Sequence, residues 1–290
     1  MFTNVKFSVL QIIRSFASKV AFTWFLVLLE NVLMALIPLL LGMAIDDLLT
    51  GATEGLLLAG GVFIALTSVG VGRRLYDTRA YGTMRVHLGE ELARRISHLP
   101  VSKVSARLNM GRELVDFLEA HLPELLTASV QLVVSIIVLV SFDIRMGLSA
   151  LAVMVLMTAI YALFHSRFLQ GNKHLNEQTE KQVAVLEARS PRAILSHLRA
   201  LRRWEILLSD TEAVVYGLIF LLMSAFILSN LVLCADIVDI TSGQVFSILS
   251  YSWAFAESAF LLPVTLQQWT RLHEITERLN GLSVGDSGAF

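Results

Sequence analysis

Apolar stretches alternate along the chain with polar stretches of two kinds, very short and very long. A membrane helix needs about 20 mostly apolar residues, and six stretches qualify: 20–45, 55–72, 125–142, 146–164, 213–235 and 245–269. Four of them carry no charge, while the first contains Glu30 and the last Glu257. Ahead of them, Phe7, Leu10, Ile13 and Phe16 lie roughly on one helical face, interrupted by Gln11 and Arg14. With no small-residue cleavage site following, residues 1–19 read as an interfacial elbow helix and not as a signal peptide. Residues 280–290 are expected to be a flexible small-residue tail and not a further domain. The pattern predicts an all-α membrane protein of six transmembrane helices.

Composition agrees and excludes alternatives. The 290 residues are 55% hydrophobic and 16% charged, against roughly 45–50% and about 25% in soluble domains. That argues against a soluble enzyme, a disordered chain or a nucleic-acid binder. One cysteine, Cys234, excludes an intrachain disulfide and a Cys-based metal cluster. The seven histidines lack zinc-type spacing, so no metal is expected. The net charge of −1 averages over segregated regions: 22 of the 23 Lys and Arg fall before span 1, between spans 2 and 3, between spans 4 and 5, or after span 6. Only Arg145 lies in the alternate loops, which otherwise carry Asp46, Asp47, Glu54, Asp143, Asp236 and Asp239. The positive-inside rule then places both termini and both long loops in the cytoplasm. A multi-pass protein of the plasma membrane, in a bacterium the inner membrane, is expected.

The two long segments, 73–124 and 165–212, are rich in helix formers. Glu90–Arg94, Glu91–Arg95 and Glu177–Lys181 have the i,i+4 spacing that supports a solvated helix. Spans 2 to 5 are therefore predicted to continue as long cytoplasmic helical extensions. Each arm has a break near its middle. In the first, Leu99-Pro100 precedes a short segment 101–108, and Asn109-Met110-Gly111 is expected to interrupt the helix before it resumes at Arg112. In the second, Ser190-Pro191 has the form of an N-cap followed by Pro at the first helical position. A short transverse element at each tip either docks a cytosolic partner or merely closes its hairpin.

This order of features resembles the membrane domain of ABC exporters, and local sequence agrees. Ile37-Pro38-Leu39-Leu40-Leu41-Gly42, followed by Asp46-Asp47-Leu48-Leu49, resembles the family's end of span 1. Leu99-Pro100 and then Met110-Gly111-Arg112-Glu113-Leu114 resemble the first coupling helix and the restart after it. Thr241-Ser242-Gly243-Gln244 resembles the small-residue start of span 6. The likeness runs over about 5–279. It implies a dimer of such domains, spans exchanged between protomers around a central cavity, and coupling regions at 101–108 and 189–199 resting on nucleotide-binding domains. Val101, Ser102, Lys103, Arg107, Arg192, His197 and Arg199 are the coupling candidates. A P-loop needs Gly-Lys-Ser/Thr, and the sequence has no Gly-Lys dipeptide. The chain is thus expected to bind no cofactor and to be no enzyme itself, with ATP on a separately encoded subunit.

Glu257, deep in span 6, is the first site candidate, because an ionisable residue at that depth is costly. It either serves function, by taking a proton or contacting a cationic substrate, or sits protonated and hydrogen-bonded between helices. No Lys or Arg lies within the core of any span, so no buried ion pair is expected for it. Glu30 and Asn31 form a second candidate in span 1, and Trp253 and Tyr251 give span 6 an aromatic surface. Pro263 and Pro38 are expected to kink their spans, for gating or for packing. Ser224, Ser229 and Asn230 are expected to make interhelical hydrogen bonds. The leading expectation is the homodimeric transmembrane subunit of a split ABC-type transporter. A proton-coupled secondary transporter on the same fold, carried by Glu257 or Glu30, and a non-transporting membrane scaffold are the alternatives.

Overall fold

A computed structural model of the chain describes residues 13–96 and 101–280, with side chains through Leu261 apart from six positions (95, 96, 102, 103, 106 and 184). Most of the expected elbow helix, the Leu99-Pro100 break, the final tail and the side chains of Ser102, Lys103 and Pro263 lie outside the described residues. Every regular element among the described residues is helical. In order these are α1 (Ala17–Thr50), α2 (Glu54–Ile96), α3 (Val101–Asp116), a π-helical turn (Phe117–His121), α4 (Leu122–Phe142), α5 (Ile144–Glu180), α6 (Gln182–Glu187), α7 (Pro191–Cys234) and α8 (Ser242–Asn280). Among the described residues five segments are long and apolar enough to cross a membrane: Ala17–Thr50, Glu54–Arg94, Arg107–Phe142, Ile144–Glu187 and Pro191–Cys234. The sixth predicted span lies in α8.

The short connections use local chemistry. Gly51 ends α1 at φ 84°, in the left-handed region that glycine adopts without penalty. Its N–H donates to the Leu48 carbonyl and that of Ala52 to Asp47, the paired bonds of a Schellman motif. Asp143 alone separates α4 from α5, and its carboxylate accepts from the Arg145 backbone N–H at 2.7 Å, capping α5. Ser190 caps α7 as expected: its Oγ accepts from the Ala193 N–H, with Pro191 in the first turn.

The chain forms two compact units. In the first, Met1–Val138 with Val238–Phe290, α1 packs on α2 and α8, and α2 on α3. Its apolar core includes Tyr81, Met84 and Leu88 of α2, with Leu114, Leu118 and, from α1, Val20. These residues lie largely beyond the predicted end of span 2, so a packed core continues into the arm. In the second unit, Leu139–Ile237, α5 packs on α7. Ala150, Val153 and Met157 on one helix and Ile219, Met223 and Phe226 on the other are buried at three- and four-residue spacing. Ser149 Oγ donates to Asn230 Oδ1 at 3.1 Å across them, the interhelical role expected of Asn230.

Both expected transverse tips are corrected. Asn109-Met110-Gly111 does not interrupt the first arm, because α3 runs through it. Gly111 serves close approach there and not chain reversal, since a Cβ at that position would lie 2.3 Å from Leu92 Cδ1. In the second arm 191–199 is the first part of the 44-residue α7, and the only short separate helix is α6 just before it.

Candidate functional site

The first unit has an open cavity of about 440 Å³ among α1, α2, the π turn, α4 and α8. Its apolar wall includes Val27, Met34, Pro123 and Leu261, and its polar wall carries Glu30, Arg73, Arg74, Glu119, Gln131 and Glu257. Size and mixed lining suit a small-molecule site. Of the span candidates, the structure brings Glu30 and Glu257 together on this cavity.

Glu30 is held by a network that sequence reasoning missed. Arg73 Nε lies 2.5 Å from Glu30 Oε2 and its Nη1 3.2 Å from Asp77 Oδ2. Thr23 Oγ1 donates to Asp77 Oδ1 at 2.6 Å. Two carboxylates thus share one guanidinium between α1 and α2, with Asp77 and Thr23 fully buried. Arg73 stands one residue past the predicted end of span 2, and because α2 continues unbroken it reaches back to a carboxylate within span 1. The Arg73/Asp77 spacing was visible in the sequence, but not the reach across to Glu30. Gly70 permits the approach: a Cβ there would sit 2.9 Å from Glu30 Oε1.

The other carboxylates differ in their partners. Arg85 pairs with both Asp116 (2.6 Å) and Glu119, and His121 Nδ1 lies 3.4 Å from Glu124 Oε2. Glu257 is exposed and has no hydrogen-bond or ion-pair partner among the described residues. Asn31 does not line the cavity. It is buried beside it, donating from Nδ2 to Val27 O (2.8 Å) and to Thr127 Oγ1 (3.1 Å), the latter on the cavity wall.

Tyr251 and Pro38 belong to a seam between α1 and α8. Tyr251 is fully buried and its hydroxyl donates to the Ala35 carbonyl at 2.5 Å. Ser247 Oγ donates to the Pro38 carbonyl at 2.9 Å. Further along, Gly42 and Gly243 meet backbone to backbone, a Cβ on Gly243 falling 1.9 Å from the Gly42 carbonyl oxygen. Asp46 closes the seam, accepting from Gly243 N at 2.8 Å and from Thr241 Oγ1 at 2.6 Å. The adjacent Asp47 accepts from Gly55 N at 2.7 Å. Two neighbouring carboxylates at the end of α1 therefore hold the N-termini of two other helices, where negative charge is favoured. Thr241 and Gln244 bond reciprocally, Gln244 N to Thr241 Oγ1 and Thr241 N to Gln244 Oε1, both at 3.1 Å. That is a capping box, and its Thr-x-x-Gln spacing is a signal the sequence reading passed over. Trp253, 62% exposed, lines neither cavity nor seam.

The coupling candidates separate. Val101, Arg192 and Arg199 are exposed and Arg107 half-buried. His197 is buried, its Nδ1 2.8 Å from Gln178 Nε2, so it joins α7 to α5 and is not displayed to a partner. The second unit has a cavity of its own, about 400 Å³, where His174 stacks on Trp204 at 4.4 Å beside Arg167 and Asp210.

Five helices among the described residues long and apolar enough to cross a membrane define a multi-pass membrane protein. The chain belongs to the ABC transporter transmembrane region family, whose match covers residues 9–243. That family's domain is a transport domain and not itself catalytic. No curated protein matches the chain.

Proposed function

We propose that the chain is the transmembrane subunit of an ABC-type transporter, working as a homodimer with a separately encoded ATPase. Substrate moves by alternating access through the cavity of α1, α2, α4 and α8. Helix length carries this reading. α2 and α7 have 43 and 44 residues, roughly 65 Å each at 1.5 Å per residue, against a hydrocarbon core of about 30 Å. More than half of each helix is available to reach a cytosolic partner, on the side that the basic residues mark as cytoplasmic. Exposed Arg192 and Arg199, beyond the buried His197, offer charge there. Copurification from gently solubilised membranes should recover a nucleotide-binding protein, and Arg192→Glu with Arg199→Glu should release it. Reproducible absence of any such ATPase overturns the reading.

A second reading, proton-coupled transport on the same fold, is favoured by one observation: Glu257 stands in a predicted span without a partner among the described residues. Uptake into vesicles should then follow an imposed pH gradient and fall in Glu257→Gln, and indifference to both excludes it. An open cavity of about 440 Å³ favours either transport reading over a packed scaffold.

A further inference from the structure

Among the described residues, not every charge on the cavity wall has a partner. Glu30 and Glu119 are paired with Arg73 and Arg85, and Glu124, more exposed, has His121 Nδ1 at 3.4 Å, a contact that is ionic only when the imidazole is protonated. Two lining groups of opposite sign are left over: Glu257 on α8 and Arg74 on α2. Neither side chain has a hydrogen-bond or ion-pair partner among the described residues, and no ion pair joins them. They face one space large enough for a small organic molecule, which also has an apolar wall of side chains such as Val27, Met34 and Leu261. An unpaired charge at membrane depth is expensive, so Glu257 favours a cation that none of the described residues supplies. Arg74, at the end of span 2, presents a guanidinium suited to a carboxylate or phosphate.

We propose that this cavity binds an amphipathic zwitterion, with its amine on Glu257, its anionic group on Arg74 and its apolar body against Val27, Met34 and Leu261. This deepens the transporter reading and rests on the cavity being its substrate site. The pairing at Glu30 explains why that carboxylate, although on the same wall, is not the anchor. It is already engaged by Arg73, which also serves Asp77. Gln131 Oε1, on the same wall and buried without a donor, adds an acceptor that an ammonium group satisfies once the amide turns toward it.

The probe is the dipeptide Leu-Phe, compared with its C-terminal amide, which keeps only the positive charge, and its N-acetyl form, which keeps only the negative one. Binding is measured by calorimetry on the full chain in nanodiscs without any ATPase. The free dipeptide should bind about tenfold more tightly than either blocked form. Glu257→Gln should abolish the advantage of the free dipeptide over the N-acetyl form, and Arg74→Gln its advantage over the amide. Glu257→Asp and Arg74→Lys, which keep each charge, should retain most of the preference and show that the loss is not one of folding. Equal binding of the three forms by the unaltered chain overturns the proposal. So does a ranking that survives both neutral substitutions, or no saturable binding of the free dipeptide. Copurification with the ATPase is a separate measurement. If it succeeds while binding fails, only the ligand class falls, and the reverse result removes the ATPase-coupled reading and leaves the site.

Discussion

Replacing Gly243 with alanine tests the α1–α8 seam where it is tightest. The added Cβ would stand 1.9 Å from the Gly42 carbonyl oxygen and 2.6 Å from Asp46 Oδ2, whereas ordinary contact begins at 3.4 Å. Backbone lies on both sides, so no rotamer change relieves the clash and the helices must part by about 1.5 Å. Parting them breaks the Gly243 and Thr241 bonds to Asp46 and stretches that from Ser247 to Pro38. Overpacking costs about 1–3 kcal/mol, and a hydrogen bond to a charged group is worth about 1.5–3 kcal/mol. A loss of roughly 3–6 kcal/mol follows from these two terms. Gly111→Ala is the matched control. Its Cβ meets the end of the Leu92 side chain, which can rotate away, and alanine in a helix interior regains about 0.8–1 kcal/mol over glycine. Gly61→Ala, with nothing within 4 Å, should be neutral or stabilising. Thermal unfolding of the three variants in detergent, with hydrogen exchange of the peptide covering 241–250, reads the effect. Gly243→Ala should unfold well below the parent and exchange faster in that peptide. A Gly243→Ala protein within 2 °C of the parent, at about 2–4 °C per kcal/mol, or a Gly111→Ala protein equally damaged, refutes the reasoning.

The Glu30–Arg73–Asp77 network predicts an order of severity. Arg73→Gln leaves two carboxylates without their shared cation and should cost about 3–5 kcal/mol, while Glu30→Gln leaves Arg73 still paired with Asp77 and should cost less than half as much. Melting temperatures in detergent decide it, and the reverse order rules out the shared-cation account. At the α4–α5 connection, the Arg145 side chain holds the Asp143 carboxyl below the usual carboxylate range, its hydrogen bond being the main cause. Whatever stability this contact adds is therefore present above the ordinary carboxylate pKa and is lost as pH falls through the lowered one. The difference in melting temperature between the parent and Arg145→Gln should shrink toward zero on acidification from pH 6 to pH 3, and a difference that grows would contradict it.

The helical fold is legible because its signals are local. Ser190-Pro191 caps a helix wherever it occurs, and the apolar runs have no other solution in a bilayer. Asn109-Met110-Gly111 misleads because glycine permits either a left-handed turn or close packing, and only Leu92 and Leu88 across the arm decide between them. The same limit governs the site. Glu257 and Glu30 stand out as charges in apolar runs, but only the structure shows that Arg73 reaches across from another helix to pair with Glu30, while Glu257 has no partner among the described residues. Tyr251 reads as a cavity aromatic until its hydroxyl is seen to end on the Ala35 carbonyl. His197 reads as a surface residue until Gln178 appears beside it.

The π-helical turn at Phe117–His121, marked by the Leu122 N–H bonding five residues back to Phe117, carries one residue more than the α-helical turn it replaces. Its effect is one of phase. An α-helix advances about 100° per residue, so the extra residue rotates all of α4 by that much relative to α3. Glu119, itself on the cavity wall, can thereby meet Arg85 while Thr127 and Gln131 face the same cavity and Thr127 reaches Asn31. Shortening this turn by one residue would leave every helix intact yet present a different stripe of span 3 to the cavity. Which side chains a ligand meets there is thus fixed by a single residue of chain length, at a distance from the residues themselves.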